Sequence, residues 1–206
     1  MIIRKAEKKD IPFIVDAMIE VEKIGDTNTI NNLFGTTTEE SKNYLEQFLL
    51  DDENLNTEFS LNTYSVVELD GELAACCCIF FTDFDYYQNK SELFPIHLNK
   101  DHLAVFIENV KSLPDTKKIT SNKYFLEYLY VAPNFRSRGV SKPLINHLVE
   151  KTDRMYLIPL LNNTFAVEYY KRLGFIEDKN NTSFPIDRME NPIYPYTHKT
   201  MLYRDN

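Results

Sequence analysis

The chain has 206 residues, 43% of them hydrophobic, with 31 Asp and Glu against 23 Lys and Arg, a formal charge of -8. That length buries a sizeable core, and one domain over residues 1–206 is the expectation. The acidic balance excludes a general nucleic-acid binder, no apolar run reaches membrane-spanning length, and MIIRKAEKKDI lacks a signal peptide's apolar core, so a cytoplasmic protein with neither nucleic-acid nor membrane partner is expected.

Residues 2–6 alternate and read as a first strand. Asp10 as cap and Pro12 in the first turn mark a helix with Ile11, Ile14, Val15, Met18 and Ile19 on its apolar face. Residues 25–37 are polar and rich in asparagine, a loop. Thr38 opens a second helix whose stripe is Tyr44, Leu45, Phe48 and Leu49. Residues 64–69 and 72–81 are β-rich runs joined by Asp70-Gly71, a two-residue hairpin turn. The second run is apolar on both faces and needs cover on both. Its Cys76, Cys77 and Cys78 alternate between faces, build no disulfide framework, and read as small core residues. No metal site is expected, since His97, His102, His147 and His198 fall at no ligand spacing.

Residues 82–122 form a helical insertion. Leu103, Phe106, Ile107, Val110 and Leu113 give it one amphipathic helix over 101–113, stopped by Pro114, that serves as a lid or packing element. The run 124–131, YFLEYLYV, is a strand broken by one charge, Glu127, and ended by Pro133-Asn134. By period two, Glu127 shares a face with Phe125, Leu129 and Val131. Arg136-Ser137-Arg138-Gly139-Val140-Ser141 follows, and then Leu144, Ile145, Leu148 and Val149 recur at helical spacing. Pro143 belongs in a first turn, which starts this helix near 138–140.

Strand, basic turn and helix together make an anion site. First-turn amides carry partial positive charge, Gly139 lets the backbone close on a ligand, and Arg136 and Arg138 add charged donors. A solvated surface turn has the same composition. The chain holds neither a P-loop nor a dinucleotide fingerprint. Beyond it lie a strand over 155–161, a helix capped by the 162–164 turn with Ala166, Tyr169, Tyr170 and Leu173 on one face, and Gly174 as its C-cap. A strand from Phe175, a proline-bearing pocket loop over 178–198 and a last strand over 200–204 complete an α/β chain with a mixed sheet.

Val131-x-Pro133-x-x-Arg136-x-x-Gly139-Val140-Ser141 resembles the acyl-CoA pyrophosphate loop of the GCN5-related N-acetyltransferase (GNAT) family. That pattern is arginine or glutamine, two residues, glycine, one residue, then glycine or alanine. Ser141 departs from it in the last place. Asn163-x-x-Ala166-x-x-x-Tyr170-x-x-x-Gly174-Phe175 is similar to the family's second segment, at the expected distance. The resemblance implies a central mixed sheet with splayed fourth and fifth strands, helices on both faces, and acetyl-CoA between the splayed strands. It implies that Arg136 and the amides of Ser137, Arg138, Gly139, Val140, Ser141 and Lys142 hold the pyrophosphate. The backbone of Leu129, Tyr130 and Val131 would pair with the pantetheine arm, and the Leu129 amide would meet the thioester oxygen. Asn163 would bond the cofactor arm, cap the helix, or both, with Ala166 beside it.

Acetyl transfer needs positioning, a base for the amine, a donor for the oxyanion and an acid for the thiolate. Glu127 is the candidate base. A carboxylate among aromatics holds its proton more tightly, which suits work near neutral pH. It could equally bind a cationic substrate or pair with a structural cation. Tyr170 is the candidate acid, and a core aromatic is its alternative. These residues imply an N-acetyltransferase transferring acetyl directly, in a ternary complex, to a primary amine of a small molecule. The alternatives are a protein N-terminus or lysine as acceptor, or a non-catalytic acyl-CoA sensor. A homodimer stays open.

Overall fold

The computed structural model describes residues 1–111, 113, 117–160, 163–180, 184–185 and 198–206. Its strands are β1 (Ile2–Lys5), β2 (Tyr64–Leu69), β3 (Glu72–Phe81), β4 (Tyr124–Val131), β5 (Arg154–Leu157), β6 (Ile176–Glu177) and β7 (Leu202–Asp205). They form one mixed sheet in the order β1-β2-β3-β4-β5-β7-β6. Asp70 and Gly71 turn β2 into β3 with φ of 57° and 85°, the positive values that a two-residue hairpin requires.

Every neighbouring pair is antiparallel except β4 and β5. That parallel pairing is confined to Tyr124↔Met155 and Phe125↔Tyr156. Past Phe125 the two strands part, while β4 continues to Val131. This is the splay that the family resemblance implied.

Helices cover both faces. α1 (Ile11–Val21), α2 (Thr29–Phe34), α3 (Thr38–Leu50), α4 (Phe84–His97), α5 (Lys100–Val110) and the short α6 (Lys117–Thr120) lie on one face. α7 (Ser141–Val149) and α8 (Thr164–Arg172) lie on the other. Cys76 and Cys78 join the first core and Cys77 the second, as strand alternation dictates. All three thiols are free, and burial pushes their pKa values up. No group of potential metal ligands occurs among the described residues, and no helix there is long and apolar enough to cross a membrane.

Three expectations need correction. Asp10 holds the N-cap position of α1, but its side chain makes no capping hydrogen bond there. It is 1% exposed, accepts the Glu7 amide at 2.8 Å, and holds both Arg4 Nη1 at 2.6 Å and Nη2 at 2.9 Å. Buried charge is stable only when paired in this way.

Within 25–37, the loop shortens to a hairpin of Lys23–Ile24 with Thr27–Asn28, followed by α2. Asn28 Oδ1 accepts the amides of Ile30 and Asn31, at 2.9 and 3.3 Å, while its Nδ2 donates to the Ile19 carbonyl at 2.7 Å. An asparagine-rich stretch thus carries its own helix cap.

Among its described residues the insertion holds two full helices and a short third, where periodicity gives one. In α4, Pro95 sits inside the helix, and Tyr86, Leu93 and Phe94 are its buried side chains. Its apolar stripe is broken, so it does not stand out by periodicity. The loop expected over 178–198 falls largely outside the described residues; Phe184–Pro185 and His198–Lys199 pair antiparallel.

Candidate active site

The site grows out of an irregularity in β4. Cys76 pairs with Tyr130 and Cys78 with Glu127, so Tyr128 and Leu129 together oppose Cys77. Two residues against one is a bulge. Tyr128 takes φ of 52° to make it, a conformation that costs a non-glycine residue about 1–2 kcal/mol. The bulge breaks the period of two. Phe125, Tyr128 and Tyr130 pack towards α1–α5, whereas Leu129 and Val131 pack towards α7 and α8. Glu127 therefore does not share a face with Leu129 and Val131.

The basic turn is anchored by buried Phe135 and Val140, with residues 136–139 exposed between them. Ser137 and Gly139 have φ of 63° and 74° on either side of Arg138. Alternating handedness of this kind gathers amides into a concave anion nest. The Arg138 amide bonds the Phe135 carbonyl at 3.3 Å. Those of Ser137, Gly139, Val140, Ser141 and Lys142 find no backbone acceptor among the described residues. α7 begins at Ser141, later than the sequence suggests, with Pro143 still in its first turn.

These open amides fit a diphosphate. A Cβ at Gly139 would meet nothing within 4 Å, so the glycine serves its φ rather than a shortage of space. The arginines also brace the turn. Arg138 reaches Asp70 at 2.9 Å and lies over the Phe135 ring at 5.1 Å, while Arg136 Nε donates to the Val131 carbonyl at 3.2 Å.

Where β4 and β5 part, a cleft of about 420 Å³ opens. Glu127 and Leu129 of β4, Leu157 of β5, and Asn163, Ala166 and Tyr170 at α8 line it. Five of the residues singled out by sequence thus meet in one place. Tyr130, Val131 and the 136–142 turn do not line this cleft; they continue along the chain from its β4 wall.

Asn163 Oδ1 accepts the Ala166 amide at 3.1 Å, so its capping role is real. Tyr169 and Tyr170 separate cleanly. The Tyr169 hydroxyl lies 2.6 Å from Ser141 Oγ and ties α8 to the anion turn. The Tyr170 hydroxyl bonds no described group. Burial first, then Cys77 and Tyr169, push its pKa well up. Gly174, at φ of 90°, ends α8, and the Phe175 amide bonds the Tyr170 carbonyl at 3.1 Å.

A second cavity, of about 430 Å³, adjoins the cleft, and both are lined by Glu22, Thr29, Glu127, Tyr128 and Ile158. Its remaining walls are rich in aromatic rings from α2, α4, α5, the sheet and the turn that holds Phe59: Phe34, Phe59, Phe80, Tyr86, Phe94, Phe106 and Phe125. The 82–122 segment is therefore a wall of the cavity as well as a packing element. Lys90 of α4 pairs there with Glu58 Oε1, and it also donates to the Tyr86 hydroxyl at 3.1 Å. Burial works against the Lys90 charge, but Glu58 and Tyr86 outweigh it, and its pKa is raised. Sequence reasoning misses Tyr128, Glu22, Glu58, Tyr86 and Lys90. Only the i, i+4 spacing of Tyr86 and Lys90 hints at a contact.

A sheet opened between two parallel strands, with an amide-lined turn beside the opening, is the scaffold of an acyl-transfer enzyme. Residues 28–175 match the model described as the acetyltransferase (GNAT) family, and the chain belongs to that family. It is an acetyltransferase, and the family generally uses acetyl-CoA. Comparison with curated proteins gives no match.

Among solved structures, an N-acetyltransferase from Staphylococcus aureus Mu50 is similar, with a TM-score of 0.74 at 17% identity, over 99% of this chain and 100% of that one. A ribosomal-protein-alanine N-acetyltransferase from Brucella melitensis gives 0.55 at 14%, over 100% of both chains. A variant of the spermidine N-acetyltransferase from Vibrio cholerae gives 0.54 at 14%, over 100% and 95%. The last two differ in acceptor class yet are about equally similar to this chain. At these identities the likeness speaks for the fold and does not choose an acceptor.

Proposed function

We propose that the protein moves the acetyl group of acetyl-CoA to a primary amine of a small molecule, by direct transfer in a ternary complex and within a single domain. The observation that carries this reading is that the cleft and the aromatic cavity meet at Glu127. An acyl donor in one and an amine in the other would place the reacting atoms together, which replaces much of the entropy cost of a bimolecular encounter.

When bound, acetyl-CoA supplies a thioester carbonyl open to attack. The open amides of Ser137, Gly139, Val140, Ser141 and Lys142 hold its diphosphate, with charge added by the side chains of Arg136 and Arg138. The open side of β4 at Leu129, Tyr130 and Val131 takes the pantetheine arm as an added strand. The Leu129 amide, at the bulge where two residues of β4 oppose Cys77, is the donor for the thioester oxygen. Asn163 caps α8 beside the arm, and Ala166 leaves room for it. Glu127 takes the proton from the amine, directly or through water, and Tyr170 donates to the departing thiolate. A cavity of about 430 Å³ with aromatic walls suits a small ligand.

Calorimetric titration with acetyl-CoA, followed by turnover on panels of amines and of peptides, tests this. Micromolar one-to-one binding, weakened by Arg136→Gln with Arg138→Gln, and turnover on small amines are expected. No binding at millimolar acetyl-CoA overturns the cofactor site. Turnover on peptides alone overturns the acceptor class.

A further inference from the structure

Set into the wall of the aromatic cavity is a polar trio in apolar surroundings. Glu58 is 5% exposed and lines the cavity with Tyr86 and Lys90. Its Oε1 accepts from Lys90 and, at 3.3 Å, from the Tyr86 hydroxyl. Its Oε2 is buried and has no partner among the described residues. Lys90 has three donors and uses two, on Glu58 and Tyr86. Its side chain is 34% exposed, so the third can meet a ligand.

A buried acceptor left unpaired costs about 1–3 kcal/mol. An apolar pair of equal volume would hold the fold as well as a buried ion pair does. One unused acceptor and one unused donor therefore lie side by side on a cavity wall.

The charge of the trio decides what fits. Glu58 and Lys90 cancel, and Tyr86 is neutral because burial raises its pKa well above the ordinary value. A second ammonium would stand beside the Lys90 charge and be repelled by it, and a carboxylate would meet the same repulsion from Glu58. A hydroxyl accepts from Lys90 and donates to Glu58 in one contact. The cavity wall thus carries two kinds of polar group, the acids Glu22 and Glu127 and the paired trio.

Along the sheet, the Phe80↔Phe125 rung is two residues from the Cys78↔Glu127 rung, about 7 Å. Tyr86 stacks on Phe80 at 5.1 Å, which sets the trio against that neighbouring rung. We propose that Glu58, Lys90 and Tyr86 form a second subsite of the acceptor cavity, and that the acceptor is a monoamine with an apolar body and a hydroxyl at its far end. This rests on the small-amine reading above.

The test is a length-matched series of hexylamine, aminohexanol and hexanediamine. It is read both as kcat/KM and, with coenzyme A present, as calorimetric affinity, which does not depend on turnover. Aminohexanol is expected to exceed hexylamine by about tenfold in each reading, a gain of about 1.4 kcal/mol, with hexanediamine the poorest. Replacing the pair by Glu58→Leu with Lys90→Met should bring the aminohexanol-to-hexylamine ratio to about one, and Tyr86→Phe should lower it. Equal affinities across the series, a preference for the diamine, or a preference that survives in a folded double variant would overturn the subsite. Turnover on none of the three, with the affinity order intact, would sink the small-amine reading and leave the subsite standing.

Discussion

Tyr169 and Tyr170 are adjacent on α8, and their surroundings give them different tasks. The Tyr169 hydroxyl is committed to Ser141. Tyr170 faces the cleft with its hydroxyl unbonded among the described groups and its pKa raised, chiefly by burial. A phenol raised in this way keeps its proton through the alkaline range, so an acid limb from Tyr170 belongs above its ordinary pKa of about 10. Tyr170→Phe should lower kcat roughly a hundredfold, within the usual range for a lost general acid. It should leave acetyl-CoA affinity within about twofold. Steady-state kinetics beside calorimetry checks both, and unchanged kcat would remove Tyr170 from the reaction. Asn163 as a helix cap and the 136–141 turn were legible because their partners are local in sequence. Glu58 and Lys90 were not. They lie 32 residues apart, and neither the burial of a glutamate nor its pairing across an insertion leaves a periodic trace.

Elements were legible where one face is buried and the stripe is regular, as in α1, α3 and α7. Two kinds were not. α4 has rings in place of a regular stripe and carries Pro95 inside it. The bulge in β4 depends on a register against β3 that no single strand can reveal, and it moved Leu129 and Val131 to the opposite face from Glu127.

α2 shows how a polar stretch becomes a cavity wall. Its six residues end at Gly35, with φ of 68°. A Cβ there would stand 2.7 Å from Val105 Cγ1 of α5. Phe34, one residue earlier, packs edge-on to Phe106 of α5 at 5.7 Å and to Phe94 of α4 at 6.0 Å. Gly35→Ala should therefore cost about 2 kcal/mol through the left-handed backbone and the overpacked contact. That corresponds to a fall in melting temperature of roughly 4–8 °C, with a raised KM for the amine because α2 and α5 shift apart. A melting curve within one degree of the parent would show that the two helices yield freely.

At the scale of the molecule, the sheet edge is held by charge as well as by its ladder. Arg4 of β1 grips Asp10 ahead of α1 with two donors, and it reaches Glu68 of β2 through Nε at 2.9 Å. One guanidinium thus joins strand, helix start and neighbouring strand. Burial works to raise the Asp10 pKa, but hydrogen bonds from Arg4 and from the Glu7 amide outweigh it, and the folded value is lowered. A carboxylate with a depressed folded pKa stabilises the fold above its unfolded value, about 3.9, and loses that contribution as pH falls through the folded value. Asp10→Asn leaves Arg4 short of its partner and should cost about 3 kcal/mol near neutral pH, as for other broken buried pairs. Because the variant no longer titrates at this position, the gap in urea midpoint between the two proteins should narrow below about pH 4, where the parent loses the same charge. Midpoints measured from pH 3 to pH 7 read this directly. A gap constant across that range would place the stabilisation in the shape of the Asp10 side chain rather than in its charge.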